Sequence, residues 1–229
     1  MSFDRLAPHY LELERVLAGE VLQQSRTAHL DELRTVRRAL LLGEGPGRFL
    51  RELLRVNPTV QVTVVDRSPR MLAVARKGVG IRDLVRVRFE VRDVLATWVP
   101  ESGAYDLIAT HCFLDCFRPS QLEVLIPNIA RGAAPDARWV ITDFREPAGG
   151  WRRLRARVVL WLMYRVFRLL TRLSATHLTP PDRYLESAGF RLASRRLAYH
   201  DMLHADLWVR RGSAPLGDVA ALARTAECV

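Results

Sequence analysis

Residues 38–56 read RALLLGEGPGRFLRELLRV. Arg38 to Leu42 is apolar after its first residue and runs straight into glycine, the pattern of a strand buried on both faces of a parallel sheet. Gly43, Gly45 and Gly47 punctuate a turn, and Arg48 to Val56 reads as a helix that stops before Asn57-Pro58, because a residue preceding proline disfavours helical backbone. A glycine loop lets backbone approach a ligand closely, and the helix start beyond it offers unpaired N–H groups with partial positive charge. Strand, loop and helix together suit a carboxylate or a phosphate.

The same alternation continues along the chain. Val60 to Val65 is a second strand that ends at Asp66, and Ser68-Pro69 caps a helix carrying Met71, Leu72, Val74 and Ala75. Val85 to Val91 and Tyr105 to His111 read as the third and fourth strands, Ser120 to Arg131 as a helix, and Trp139 to Phe144 as the fifth strand. Pro180-Pro181 opens a short helix ending near Gly189, and Phe190 to Leu197 with Leu203 to Arg210 form a closing antiparallel pair. Residues 4–35 carry a helical apolar stripe. The expected fold is therefore α/β, a Rossmann-like seven-stranded, mostly parallel sheet with helices on both faces, N-terminal helices and an inserted basic and apolar helix after strand 5. It forms one domain over residues 1–212, with 1–35 as a helical cap, 151–188 as a helical lid or insertion, and 213–229 as a loose tail.

Bulk properties agree with one domain, since 229 residues with 49% apolar content support one well-packed core. The start MSFDRLAPHY has neither a signal peptide's charge pattern nor its apolar run, and no stretch reaches the roughly 18 apolar residues of a spanning helix. A cytoplasmic protein is expected, at the inner face of the membrane if the helix described below is an anchor. Cys112, Cys116 and Cys228 lack metal-ligand spacing, so reduced thiols and no metal site are expected. The net charge of +10 points toward a polyanionic partner, yet only Lys77 among the 35 basic residues is lysine, a bias that a GC-rich genome also produces.

Asp66, 19 residues beyond Gly47, stands where this architecture presents an acid to ribose hydroxyls, so the ligand is adenosine-like. The loop is G-x-G-x-G, without the G-x-G-x-x-G spacing that passes a dinucleotide pyrophosphate. In order, LLLGEGPGRFLREL, VTVVDRSPRMLAVAR, RFEVRDV and AYDLIATHCFLDCF resemble the four successive motifs of class I S-adenosylmethionine (SAM) methyltransferases. WVITDFREP resembles the fifth-strand segment of the ubiquinone and menaquinone C-methyltransferases, and the resemblance spans residues 1–210.

That resemblance implies SAM as cofactor. Gly43, Gly45 and Gly47 would pass its methionine part, Asp66 would hold the ribose, Arg67 and Met71 would flank the adenine, and Asp93 with Val94 would meet its amino edge. Tyr10 resembles the tyrosine that closes over the cofactor, and His111 ends the fourth strand beside it. Such enzymes usually carry an acid two residues before the first glycine, where this chain has Leu41. Glu44 either takes over the contact with the amino group of SAM or is an exposed loop carboxylate.

Methyl transfer needs a nucleophile held against an activated methyl group, with a base where a proton must leave. His111, Asp115 and His204 are the candidates, each histidine being equally readable as a structural imidazole. His200 and His204 share helical spacing, but HDMLHADLW reads as a turn into a strand, which removes the metal reading.

Residues 151–173, WRRLRARVVLWLMYRVFRLLTRL, hold seven arginines and no acid. They form either a lid over the acceptor pocket or a helix lying on an anionic membrane surface. Both readings favour a small lipophilic acceptor, quinone-like or lipid-like. The alternatives are a catalytically silent SAM-binding or membrane-surface protein, and an RNA methyltransferase. Nucleic acid is disfavoured as a partner because no RNA-binding module accompanies the domain, and a monomer or homodimer is expected.

Overall fold

The computed structural model describes residues 20–96, 98–147, 149–171 and 178–212. Tyr10, most of the expected N-terminal cap, Cys228 and the tail from 213 lie outside the described residues. Helix α1 occupies residues 20–26. The elements that follow are β1 (Arg38–Leu42), α2 (Arg48–Val56), β2 (Gln61–Asp66), α3 (Pro69–Lys77), β3 (Val87–Val91), β4 (Tyr105–His111), α4 (Pro119–Ala130), β5 (Ala133–Phe144), α5 (Gly150–Thr171), α6 (Asp182–Ser187), β6 (Phe190–Ala198) and β7 (Leu203–Arg210). The seven strands form one sheet in the order β3-β2-β1-β4-β5-β7-β6. All pairings are parallel except β5 with β7 and β7 with β6. This is the expected Rossmann-like sheet.

Because side chains alternate along a strand, β1 feeds two cores. Leu40 and Leu42 pack on one face with Leu122, Leu125 and Ile126 of α4 and Tyr184 and Leu185 of α6. Ala39 and Leu41 pack on the other with Phe49, Leu50 and Leu53 of α2 and Leu72 of α3. Such burial on both faces explains why the strand reads as uninterrupted leucine.

Three boundaries differ from the sequence reading. Within the segment read as helical over 4–35, α1 ends at residue 26 and a 3-10 turn covers Asp31–Leu33. The hydroxyls of Ser25 and Thr27 donate back to the carbonyls of Val21 and Gln23, and the buried His29 ring lies 3.1 Å from the Ala205 carbonyl, drawing the chain onto β7. Strand β3 starts at Val87 rather than Val85, because Arg86 turns inward to donate to the carbonyls of Asn57, Val60 and Leu54. Strand β5 starts at Ala133, earlier than Trp139, and its register against β4 is irregular between Tyr105 and Leu107. Helix α6, read as part of the lid, packs its Tyr184 and Leu185 into the α4 core instead.

Asn57 stitches the turn after α2. Its fully buried amide donates to the carbonyls of Leu33 and Val36, while its oxygen accepts from Thr59 and from the Val60 N–H. Asn57→Ala strands several buried backbone groups at once and is expected to cost about 2–4 kcal/mol in denaturant unfolding. A loss below about 1 kcal/mol would show that water replaces these bonds.

Candidate functional site

At the carboxyl ends of β1, β2 and β4 lies a cavity of about 270 Å³, lined among others by Gly43, Glu44, Gly45, Asp66, Met71 and His111. A parallel sheet opens such a crevice where successive strands send their connections to opposite faces, here between β1 and β4. The turn after β1 is shaped by close approach. A Cβ at Gly43 would come within 2.3 Å of the Phe113 ring, and one at Gly47 within 3.1 Å of the Ala75 backbone. At Gly45 nothing lies within 4 Å, so that position faces open space.

Gly43, Glu44 and Gly45 therefore line the cavity, whereas Gly47 starts α2 and serves its packing on α3. This corrects the expectation that all three glycines face a ligand. Asp66, at the end of β2, accepts the Ser68 N–H, and the Ser68 hydroxyl caps α3 through the Met71 N–H. Arg67, Met71, Asp93 and Val94 line the same cavity, with Arg67 and Asp93 in a partly exposed ion pair at 3.4 Å.

Glu44 is no exposed loop carboxylate. Its Oε1 accepts the Leu50 N–H at 2.9 Å, satisfying one of the free donors at the start of α2. Burial pushes its carboxyl up to about 7, against the opposing pull of that hydrogen bond and of the Arg26 charge. Arg26, buried on α1, lines the cavity beside it. Sequence reasoning missed Arg26, because nothing in a helical stripe marks which polar residue turns inward.

His111 is 6% exposed, packs edge-on to Phe49 at 4.5 Å and has no hydrogen-bond partner on either ring nitrogen among the described residues. Burial, then the Arg26 charge, holds its pKa well below the usual histidine range, so the ring is neutral. A buried neutral imidazole with both nitrogens unsatisfied is costly, and a polar ligand in the cavity would relieve that cost. Cys112 follows in a left-handed backbone conformation, φ 50°, with its N–H donating to the Thr142 carbonyl. Non-glycine residues adopt this geometry rarely, and functional sites are where such strain collects.

Behind the cavity wall lies a second titratable group. Asp143, at the end of β5, accepts the Phe113 N–H through Oδ1, while its buried Oδ2 has no partner among the described residues. Burial pushes Asp115 up to about 6, and burial together with the Asp115 charge pushes Asp143 well above the carboxylate range. At neutral pH this favours the protonated form of Asp143. The Cys116 thiol beside them is pushed well up by burial and their charges, which makes it a poor nucleophile. Asp143 sits in a stretch singled out in the sequence, WVITDFREP, and its place at a strand end was the available signal.

His204 is not at this cavity. It pairs in register with Asp143 across β5 and β7, but its Nδ1 lies 2.9 Å from Asp206, and it lines a separate cavity of about 330 Å³ with Phe144, Leu178 and Arg195. Asp206 receives both ends of the Arg195 guanidinium, which outweighs its burial and holds it at about 2. His200 sits in the β6–β7 turn, where Tyr199, His200 and Asp201 all have positive φ. Among the described residues no His, Cys, Asp and Glu group is placed to hold a metal.

Residues 39–136 match the family model described as a methyltransferase domain. The chain is 30% identical over 167 residues to a demethylmenaquinone methyltransferase of Thermus thermophilus, covering 72% of this chain and 70% of that protein. It is 31% identical over 150 residues to the demethylmenaquinone methyltransferase of Deinococcus radiodurans, covering 65% and 61%. An O-methyltransferase family protein from Burkholderia thailandensis superposes with a TM-score of 0.66 at 20% identity, covering 93% of this chain and 64% of that one, a likeness of fold. The chain thus spans between 61% and 70% of the length of these relatives.

The acid pair predicts a pH dependence. Both folded-state values lie above that of an unfolded aspartate, so the folded protein holds more protons than the unfolded chain above about pH 4, and the pair's contribution to stability falls as pH rises. Asp143→Asn keeps an acceptor for Phe113 and removes the second charge. Between about pH 5 and pH 8 its denaturation midpoint should gain on the wild type; parallel midpoints across that range would show that the two carboxylates do not interact.

Proposed function

Because the chain belongs to the class I SAM-dependent methyltransferases, we propose that it passes the methyl group of SAM to a small lipophilic acceptor by in-line displacement. The observation that carries this reading is the convergence of the glycine turn, Asp66, Asp93 and the unsatisfied His111 on one cavity. Both the orphaned ring nitrogens and the open space beyond Gly45 fit a polar, adenosine-bearing molecule. Gly43, Glu44 and Gly45 would take its methionine part, Asp66 the ribose hydroxyls, Arg67 and Met71 the faces of the adenine, and Asp93 with Val94 its amino edge. Bound there, SAM supplies a methyl group already activated on a sulfonium, so no covalent protein nucleophile is required.

At the methionine end the chain departs from its family in a compensated way. Leu41, in place of the usual acid, is fully buried in the α2 core and has nothing to offer an ammonium group. Glu44 with Arg26 places one acidic and one basic side chain at the same cavity, and a ligand ammonium beside Glu44 would favour its ionised form. His111, kept neutral, presents an accepting nitrogen that orients an acceptor hydroxyl or takes its proton. Asp115 is buried next to Cys116, whose thiol donates to its Oδ1. His204 faces the second cavity.

The Thermus and Deinococcus relatives are demethylmenaquinone methyltransferases, and the apolar wall formed by Phe113, Phe117 and Met71 suits a flat, lipophilic ring. A lipophilic hydroquinone is therefore the first acceptor to try. The second reading, a SAM-binding protein without turnover, draws on Leu41.

Two measurements test this. In calorimetric titration, Glu44→Gln should weaken S-adenosylhomocysteine by about tenfold and leave 5′-methylthioadenosine, which lacks the amino-acid end, unchanged. Equal losses for both would make Glu44 a helix cap only, and silence of the folded wild type toward both would overturn the cofactor assignment. Incubation with SAM and lipophilic hydroquinones should then yield S-adenosylhomocysteine and a methylated product by mass spectrometry. Tight cofactor binding with no product from any lipophilic acceptor would select the silent reading.

A further inference from the structure

Helix α5 has one face committed to the protein and one that is not. Ala156 and Leu160, one helical turn apart, are buried against Phe144, Leu178, Tyr199, Met202 and Cys116. Cys116 also lines the cavity at the ends of β1, β2 and β4, so this inner face lies over the carboxyl edge of the sheet. On the helix surface outside that contact, Trp151, Leu154 and Val158 are 66%, 67% and 59% exposed. Their i, i+3, i+7 spacing makes one continuous apolar ridge. Arg153, Arg157 and Arg165 are also exposed on this helix, Arg153 in an ion pair with Glu146 at 3.6 Å, and no acidic residue occurs from Trp151 to Leu173, in a chain with 25 acids elsewhere.

We propose that the outward face of α5 seats the protein on an anionic lipid bilayer, with the Trp151–Leu154–Val158 ridge inserted among the acyl chains and its arginines against lipid phosphate. A ridge of large apolar groups facing water is unfavourable, and interface-lying helices combine such a ridge with basic residues and an absence of acids. Long arginine side chains let the charge stay at the headgroups while the stem and neighbouring apolar groups sink deeper. The seat is peripheral, since among the described residues no helix is long and apolar enough to cross a membrane. Its position tells on the chemistry: the opposite face of the same helix touches the wall of the cofactor-type cavity, so a lipophilic acceptor dissolved in the bilayer would reach the site without crossing water. In this last respect the inference rests on the methyl-transfer reading above; the lipid contact itself does not.

The test is co-sedimentation of the full chain with vesicles of phosphatidylcholine alone or mixed equally with phosphatidylglycerol, at low and high salt. The mixed vesicles should retain about tenfold more protein, and salt should release most of it. The triple variant Trp151→Ser, Leu154→Ser, Val158→Ser and the double variant Arg153→Glu, Arg157→Glu should each abolish the difference, while S-adenosylhomocysteine titration and thermal unfolding stay as in the wild type. Equal sedimentation with both vesicle types, or retention by both variants, overturns the proposal. So does a concentration-dependent dimer that the serine variant dissolves without any vesicle binding, which would assign the ridge to a second copy of the chain. Vesicle binding by a protein silent toward S-adenosylhomocysteine would sustain the lipid seat and remove the methyltransferase reading.

Discussion

Everything at the candidate site depends on how tightly the chain turns after β1. That strand lies between β2 and β4, so the turn must leave the centre of the sheet while helices crowd both faces. Phe113 fills the space where a side chain at Gly43 would go, and the α3 backbone at Ala75 fills the space at Gly47. With both neighbours pressed against bare backbone, the loop holds its course into α2, whose Leu50 N–H is taken by the Glu44 carboxylate, and the position between, Gly45, remains open. The cavity is a by-product of this packing, set at the one edge where β1 and β4 send their connections to opposite faces.

Desolvation then sets the charge state of the groups around the cavity. Glu44, Asp115 and Asp143 are pushed upward and His111 downward, each toward neutrality and each chiefly by burial. Asp206 shows the opposite result from a similar environment, because Arg195 meets both of its oxygens and the Trp208 indole N–H adds a third donor. The contrast separates two kinds of polar residue. Asp206 with its dedicated partners holds β6 and β7 together, whereas His111, whose ring nitrogens find no partner among the described residues, lines the cavity.

The reversed strand β7 links this edge to the rest of the molecule. Pairing with β5 brings His204 opposite Asp143, and the left-handed turn before β7 places Tyr199 and Met202 under α5. One hairpin thus supports the wall of the second cavity and the platform on which the basic helix rests. The two sides of that helix have different surroundings, with Ala156 and Leu160 buried and Trp151, Leu154 and Val158 exposed.

Much of this was legible in the order of residues. The period of two in β3, the leucine run of β1, the Ser68-Pro69 start of α3 and the acid closing β2 are local signals, produced by steric and solvation rules that act within a few residues. They were enough for the sheet and for the glycine turn, and Asp66, Met71 and Asp93, singled out in the sequence, line the cavity. What the sequence could not carry were relations between distant segments. That Arg26 turns inward beside Glu44, that Gly47 serves α3 and not the crevice, that Asp143 meets Asp115 while His204 is drawn away to Asp206, and that α1 breaks where His29 reaches Ala205, all depend on which strands become neighbours. Local chemistry determined the elements and the turn; only the packing of those elements decided which buried polar groups would find partners and which would be left facing the cavity.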